Sequence, residues 1–179
     1  MSFIYSLIAR ESNIVLADYT EYSGNFEQVA RIVLQKGIKH NCKYIINYDK
    51  YKMHYINENN LTFLCITDQV SDDTAFAFLS EIKLELLKMY SFEQLQEFYA
   101  YQLKKGIDLL NKYMIYYNTN PSDCKLYFGN LHRKFTIYKM YMNFPEKCGI
   151  ITYSIQPQIK ERSSCNTDNW ETRGFRSAP

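Results

Sequence analysis

The sequence of 179 residues lacks most features of secreted, membrane-spanning or metal-binding proteins. Its five cysteines form no Cys-x-x-Cys pair and are odd in number, which favours reduced thiols over a disulfide framework. No apolar run approaches the roughly 20 residues that a membrane-spanning helix needs. The N-terminus lacks the basic lead and the small-residue cleavage site of a signal peptide. We therefore expect a soluble cytoplasmic protein without a transmembrane segment.

Motifs of nucleotide binding and hydrolysis are missing as well. The sequence contains no GxxxxGK[ST] loop and no GxSxG nucleophile. The three histidines are dispersed without metal-ligand spacing, and His54, on an alternating strand, is expected to be a surface or partly buried residue of the sheet. These absences give no support for an enzyme, a metal site or a cofactor.

The net charge of the chain argues against nucleic acid as a partner. The formal net charge of +2 is too small to indicate a nucleic acid or an anionic membrane. Residues 126–144 are aromatic and basic, a pattern that can bind single-stranded nucleic acid, but their lysines and arginines are sparse and no RNA-binding signature accompanies them. We expect no nucleic-acid partner.

The chain is organised around residues 43–67, where three strand-like runs are separated by two polar turns. Residues 51–56 alternate between apolar and polar side chains, the pattern of a half-buried strand. Residues 61–67 are almost wholly apolar, which indicates a strand covered on both faces. Two further apolar runs, 3–9 and 14–19, predict an antiparallel hairpin before this meander.

Three helices are predicted from spacing and capping residues. Apolar residues at helical spacing predict a first helix that ends at Gly37. Ser71 is the predicted N-cap of a second helix. Ser91 and Gln94 have the spacing of a capping box and begin a third helix, which fades near Tyr116.

These elements predict an α+β fold with a five-stranded antiparallel sheet of order 2-1-5-4-3. The first and fifth strands lack a polar face, so they are expected to be central neighbours. The first helix then covers one face, and the second and third helices cover the other. Strand 44–48 becomes an edge with unpaired backbone groups beside the first helix. An edge strand and a helix with spare hydrophobic residues form a groove suited to a partner peptide.

Several stretches of the first 120 residues resemble a known family. They are IYSLIAR (4–10), VLADYTEYSGNF (15–26), KYKMHYI (50–56), LCITD (64–68) and AFAFLSEIK (75–83). They resemble the longin domain of vesicle R-SNAREs, the long VAMP/synaptobrevin-like proteins, in the plant and protist form. The resemblance implies the longin (profilin-like) fold and a place in vesicle-mediated transport, including exocytosis.

The resemblance divides the chain into a longin domain (1–117), a divergent region (118–160) and a tail (161–179) that is predicted to be disordered. In the family, a SNARE coiled-coil motif and a membrane anchor follow the longin domain. Here no heptads appear after residue 126, so we expect that the chain does not drive fusion. The sequence leaves two origins open: a truncated or alternatively spliced product, or a C-terminal third that comes from an incorrect gene model or a retained intron.

The resemblance also implies a partner: a SNARE motif or a trafficking-adaptor peptide bound in the groove. Tyr44 and Ile46 share one face of the edge strand because the period of a strand is two. The candidate residues of the facing wall on the first helix are Phe26, Val29, Ile32 and Val33. The alternative that Tyr44 and Ile46 pack in the core under the first helix stays open. Without a recognisable SNARE motif in the chain, the groove is expected to stand open.

A second class of function fits the same fold. Longin folds also occur in adaptor, tethering and GTPase-exchange complexes, where the chain would assemble with another longin or adaptor subunit through its sheet edge. In either class, the expected location is peripheral to endomembranes or vesicles.

Overall fold

The computed structural model describes residues 2–11, 13–35, 42–120 and 150–155. The predicted helix end at Gly37, most of region 118–160 and the tail 161–179 lie outside these residues. In chain order, the elements are β1 (Ser2–Arg10), β2 (Ile14–Thr20), α1 (Phe26–Gln35), β3 (Cys42–Tyr48), β4 (Tyr51–Glu58), β5 (Leu61–Asp68), α2 (Asp72–Met89), α3 (Phe92–Glu97), α4 (Lys104–Thr119) and β6 (Ile150–Ile155).

The strands form one sheet in the order β2-β1-β5-β4-β3-β6. The first five strands pair antiparallel in the predicted order 2-1-5-4-3, which confirms the α+β topology. The sixth strand, β6, pairs with β3 in parallel and was not predicted from the sequence.

The two predicted turns of the meander use residues that tolerate a left-handed backbone. Asn59 and Asn60 have φ values of 49° and 62°, as in the two-residue turns of hairpins. Asp49, between β3 and β4, has a φ of 55°. Asn and Asp adopt this conformation more readily than other residues with side chains, because their short polar groups bond locally. Turn chemistry therefore separates the strands where the sequence predicted.

Helices cover both faces of the sheet, as predicted. Under α1, the buried residues form what we call the α1-face cluster: Tyr5, Leu7, Ala9, Val15, Ala30, Val33, Leu34, Tyr44, Ile46, Met53, Tyr55, Leu64 and Ile66. The opposite face packs against α2, α3 and α4 in a larger cluster that includes Phe3, Ile8, Phe63, Phe78, Leu79 and Leu110. Both β1 and β5 contribute to the two clusters, which explains their unbroken apolar runs.

The predicted third helix is two helices, which is a correction. It begins as predicted: the Ser91 hydroxyl accepts from the N–H of Gln94, and the Gln94 side chain accepts from the N–H of Ser91. However, α3 ends at Glu97 and α4 begins at Lys104. Between them, Tyr101 has a φ of 58°, which a continuous right-handed helix does not allow. The apolar spacing on both sides of the break had suggested one helix.

One side chain caps the start of α2, and another near the end of α4 bonds to the backbone of β1. The Ser71 hydroxyl accepts from the N–H of Thr74 at 3.2 Å and caps α2, as predicted. At the end of α4, the Asn118 carboxamide accepts from the N–H of Phe3 (2.7 Å) and donates to its carbonyl (3.1 Å). The register of β1 against β5 shifts at this point. Asn118 therefore satisfies backbone groups at an irregularity of β1 and ties α4 to the sheet.

Candidate functional site

Helix α1 places one apolar side on the sheet and leaves one large apolar residue in solvent. Its buried residues recur at helical spacing: Ala30, Val33 and Leu34. Phe26 and Val29 are partly buried against the α1-face cluster. Ile32, in contrast, is 51% exposed. Of the four predicted wall residues, Ile32 is therefore the most accessible to a partner.

Tyr44 and Ile46 lie on the α1 side of β3, as the strand period predicted, whereas Ile45 is buried in the opposite cluster. Tyr44 is 2% exposed and Ile46 is 5% exposed. The Tyr44 ring stacks on Tyr55 with centroids 4.7 Å apart, and Ile46 is in register with Met53. In this structure both residues pack under α1, and their contact with a partner remains a prediction.

The outer edge of β3 is occupied by the chain itself, which corrects two expectations. β6 runs parallel to β3 in unbroken register, from the pair Lys43–Ile150 to the pair Tyr48–Ile155. Strand 44–48 is therefore not a free edge, and the groove beside it does not stand open along this edge. The β-branched and aromatic composition of IITYSI is the signal that could have indicated a strand.

The linker between α3 and α4 bonds to part of the opposite edge of the sheet, at Val15 and Leu16 of β2. The N–H of Tyr101 donates to the carbonyl of Val15 (2.9 Å), and the N–H of Leu103 donates to that of Leu16 (3.2 Å). Both outer strands of the five-stranded sheet, β2 and β3, thus pair with backbone of the same chain.

A polar network joins α1 to this linker. The Glu27 carboxylate accepts from Arg31 Nε (3.0 Å) and from the Tyr101 hydroxyl (3.2 Å), and Arg31 also donates to that hydroxyl. Nearby, the Tyr5 hydroxyl donates to Asp18 (2.8 Å). Burial, together with the Asp18 carboxylate, raises the pKa of Tyr5 above its usual range. Burial also raises the pKa of Asp18, although the Tyr5 hydrogen bond opposes the shift. The contacts of Glu27 and Arg31 with Tyr101 thus connect α1 to the linker, and the Tyr5–Asp18 hydrogen bond connects β1 to β2.

On the opposite face, His54 is completely buried, which corrects the expectation of a surface or partly buried residue. Its Nε2 lies 2.8 Å from Oδ1 of Asp72, and Lys52 Nζ lies 3.0 Å from the same oxygen. The ring packs edge-on against Phe76 at 5.4 Å. His54 Nδ1 is buried without a hydrogen-bond partner among the described residues. Burial lowers the pKa of His54, against the opposing effect of Asp72, so the neutral ring is favoured in the folded protein.

We expect the free energy of unfolding to fall as the pH decreases below about 6.5, the ordinary pKa of histidine. Because the pKa of His54 is lowered in the folded state, the unfolded chain binds more protons in this range. The stabilisation is therefore present above this pH and is lost toward the lower, folded pKa. Urea denaturation between pH 7.5 and 5.5 measures the slope. His54→Phe, which keeps a ring beside Phe76, is expected to flatten it, and an unchanged slope would contradict the assignment.

The candidate site is the surface formed by α1 and the outer edge of β3, which we call the α1–β3 surface. Of the six residues predicted from the sequence, Ile32 is exposed on this surface and Phe26 and Val29 are partly buried, whereas Val33, Tyr44 and Ile46 are buried beneath it. In the parts of the chain that the structure describes, no group of three or more His, Cys, Asp or Glu residues is placed to hold a metal ion. None of the described helices is long and apolar enough to cross a membrane.

Comparison with known proteins confirms the resemblance. Residues 16–108 match the model of the longin family, described as a regulated-SNARE-like domain. Vesicle-associated membrane protein 7B of Dictyostelium discoideum is 37% identical over 91 residues, which cover 50% of this chain and 35% of that protein. Putative vesicle-associated membrane protein 726 of Arabidopsis thaliana is 32% identical over 124 residues (68% and 56%). Vesicle-associated membrane protein 7 of Mus musculus is 33% identical over 91 residues (50% and 41%). The chain thus spans between about a third and just over half of these relatives.

Proposed function

We propose, from the premise that this chain belongs to the regulated-SNARE-like longin family, that it is a non-enzymatic regulatory module of vesicle-mediated membrane traffic. The premise rests on the family model, which matches residues 16–108, more than half of the 179 residues. The relatives are named as vesicle-associated membrane proteins, and we extend their setting to this chain. The corresponding location is cytoplasmic, at the periphery of vesicles or endomembranes.

The proposed activity is binding of a SNARE motif or a trafficking-adaptor peptide at the α1–β3 surface. One observation carries this proposal: the outer edge of β3, beside α1, takes up an extended segment over six consecutive residue pairs. The backbone groups of an edge strand pair with any extended backbone, whereas the neighbouring side chains select the sequence. An edge strand flanked by an apolar helix supplies both the backbone groups that pair and the side chains that select.

The exposed side chain of Ile32 provides a way to test this surface without disturbing the core. Full burial of an Ile side chain contributes about 1.5–3 kcal/mol. Ile32 is already about half buried, so a partner that covers the rest gains roughly 1 kcal/mol, or about fivefold in Kd.

Ile32→Ser is therefore expected to weaken binding of a SNARE segment about fivefold, with little change in melting temperature. The matched control is Ile115→Ser on α4, because Ile115 is 48% exposed on the opposite side of the sheet. Calorimetric titration uses a SNARE segment from a vesicle-associated relative. Each protein is titrated as the full chain and as an open variant, in which alternating Gly and Ser replace residues 150–155. Equal losses in the two Ser variants would place the partner elsewhere, and a folded open variant that binds no segment would refute the proposal.

The alternative class, a longin subunit that assembles through its sheet edge, has less support. The family model is described as a regulated-SNARE-like domain, and the relatives are vesicle-associated membrane proteins, which favours the first class. Pairing does not separate the two classes, because a peptide and a second subunit would both have to displace β6 from the β3 edge.

A further inference from the structure

The linker 98–103 is bonded to the sheet at three points. Arg10 Nε donates to the carbonyl of Phe98 (3.0 Å), and the N–H groups of Tyr101 and Leu103 donate to carbonyls of β2 (2.9 and 3.2 Å). Within the linker, Tyr101 has a φ of 58°, which is uncommon for a residue with a bulky side chain. Backbone conformations of this kind persist where the surrounding contacts determine them. The backbone of Tyr101 therefore has a defined place at the β2 edge.

The side chain of Tyr101 connects this place to α1. Its hydroxyl donates to Glu27 (3.2 Å) and accepts from Arg31, and Arg31 also donates to Glu27 (3.0 Å). The Arg31 guanidinium lies 5.7 Å from the centroid of the Tyr101 ring. In the described part of the chain, the side-chain hydrogen bonds between α1 and other elements all involve this hydroxyl. We call these two bonds the Tyr101 contact.

Apolar burial and the Tyr101 contact determine different properties of α1. The buried residues of α1 place the helix on the sheet, but burial is non-directional and does not by itself set the rotation of a helix about its axis. Hydrogen bonds are directional and can set it. At 3.6 residues per turn, Glu27 and Arg31 lie on one flank of the buried stripe, and the exposed Ile32 lies on the other. The rotation that satisfies Glu27 and Arg31 therefore also fixes the direction of Ile32.

We propose that Tyr101 is a positioning residue, whose hydroxyl fixes the rotation of α1 and thereby places Ile32 at the α1–β3 surface. This inference rests on the proposed function, because it concerns how that surface is prepared for its partner. Tyr101 lies at the β2 edge, and β2 and β3 are four strand spacings apart, or roughly 19 Å. Tyr101 thus acts on partner binding through α1 and not by touching the partner.

Native-state hydrogen exchange of the full chain tests the effect on α1 without a partner. Tyr101→Phe removes the hydroxyl and keeps the ring. We expect the amide protons of α1 to exchange about two- to fivefold faster, because exchange reports local opening and a partly exposed hydrogen bond contributes at the low end of its usual range. The amide signals are resolved residue by residue by NMR.

The matched control is Tyr99→Phe, which makes the same change on the same linker at a residue that is 76% exposed. Exchange in α1 should then remain at the wild-type rate. Equal exchange rates of α1 in the Tyr101→Phe and Tyr99→Phe proteins would show that the Tyr101 hydroxyl does not hold α1, and would overturn the proposal.

Arg31→Met tests the same contact from the side of the helix. It removes the donor to the Tyr101 hydroxyl, so exchange in α1 should again become faster. Because both substitutions break one contact, the combined variant should exchange more slowly than the product of the two single effects predicts. Multiplicative effects would show that the two side chains act separately and would contradict the contact.

The consequence for binding is measured by calorimetric titration of the open variant with the SNARE segment. Tyr101→Phe is expected to weaken binding about two- to fivefold, and no more than Ile32→Ser does, because Tyr101 acts through Ile32. In the Ile32→Ser background, Tyr101→Phe should have little further effect. A loss of global stability alone would not change the Kd of the folded protein. Independent losses in the two backgrounds would overturn positioning through Ile32.

The two proposals fail separately. If the open variant binds the segment and Tyr101→Phe leaves its Kd unchanged, the positioning role is wrong and the proposed function stands. If the folded open variant binds no segment, the proposed function is wrong, and so is the role of Tyr101 in binding. Hydrogen exchange, which needs no partner, still decides whether the hydroxyl holds α1.

Discussion

Replacement of Tyr44 and Ile46 together by serine is expected to destabilise the protein by about 5 kcal/mol or more. Tyr44 is 2% exposed and stacks on Tyr55, and Ile46 is 5% exposed in the α1-face cluster. Each truncation removes buried apolar atoms and leaves a cavity, and Ile46→Ser also adds a hydroxyl to an apolar site. A loss of this size is a large part of the 5–15 kcal/mol that typically stabilises a domain. Urea and thermal denaturation measure it.

Ile32→Ser is the matched control, because it makes the same Ile-to-Ser change at a position that is 51% exposed. Its unfolding free energy should remain close to that of the wild type. The comparison separates the two interpretations of Tyr44 and Ile46 that the sequence left open. A double variant with a wild-type melting temperature that no longer binds a partner would show that the two residues line an open groove, and would contradict their place in the core.

Lys83→Met is expected to cost about 3–5 kcal/mol of unfolding free energy. Lys83 Nζ lies 2.6 Å from Glu58 Oε2, and the two side chains are only 5% and 7% exposed. The pair connects α2 to the end of β4. Removal of the ammonium leaves the Glu58 carboxylate buried without its compensating charge, which is the costly way to break a buried ion pair. Urea denaturation at neutral pH measures the effect.

Two controls show whether the burial of the Lys83–Glu58 pair causes the expected loss of unfolding free energy. Lys88→Met makes the same change on the same helix, where the Lys88 pair with Glu85 is exposed, and should have little effect. Adding Glu58→Gln to Lys83→Met removes the uncompensated charge and should recover much of the loss. Equal stability of the Lys83→Met and Lys88→Met proteins would show that the buried pair contributes nothing.

Local sequence patterns were sufficient to predict the five-stranded sheet, because each strand can be recognised from its own residues. The unbroken apolar run in 61–67 correctly indicated a strand covered on both faces. The alternation in residues 51–56 correctly indicated a strand, but not a half-buried one, because α2 covers the face of β4 that carries His54. Asn59 and Asn60 mark the hairpin turn between them by their backbone preference. The capping residues Ser71 and Ser91 mark helix starts through contacts three residues away. Tyr44 and Ile46 were likewise assigned to one face from the strand period alone.

The sequence by itself thus determined the five antiparallel strands, their order and the starts of α2 and α3. Tertiary structure decided what covers the faces and edges of the sheet. β6 pairs with β3 from 107 residues later in the chain, as in the pair Lys43–Ile150. The 98–103 linker interrupts a helical pattern at the β2 edge, and His54 is buried beside Asp72. The periodicity of a sequence indicates which face of a strand or helix is apolar, but not which segment packs against that face. A segment distant in sequence reaches its place through loop closure and backbone pairing, and neither leaves a local sequence pattern.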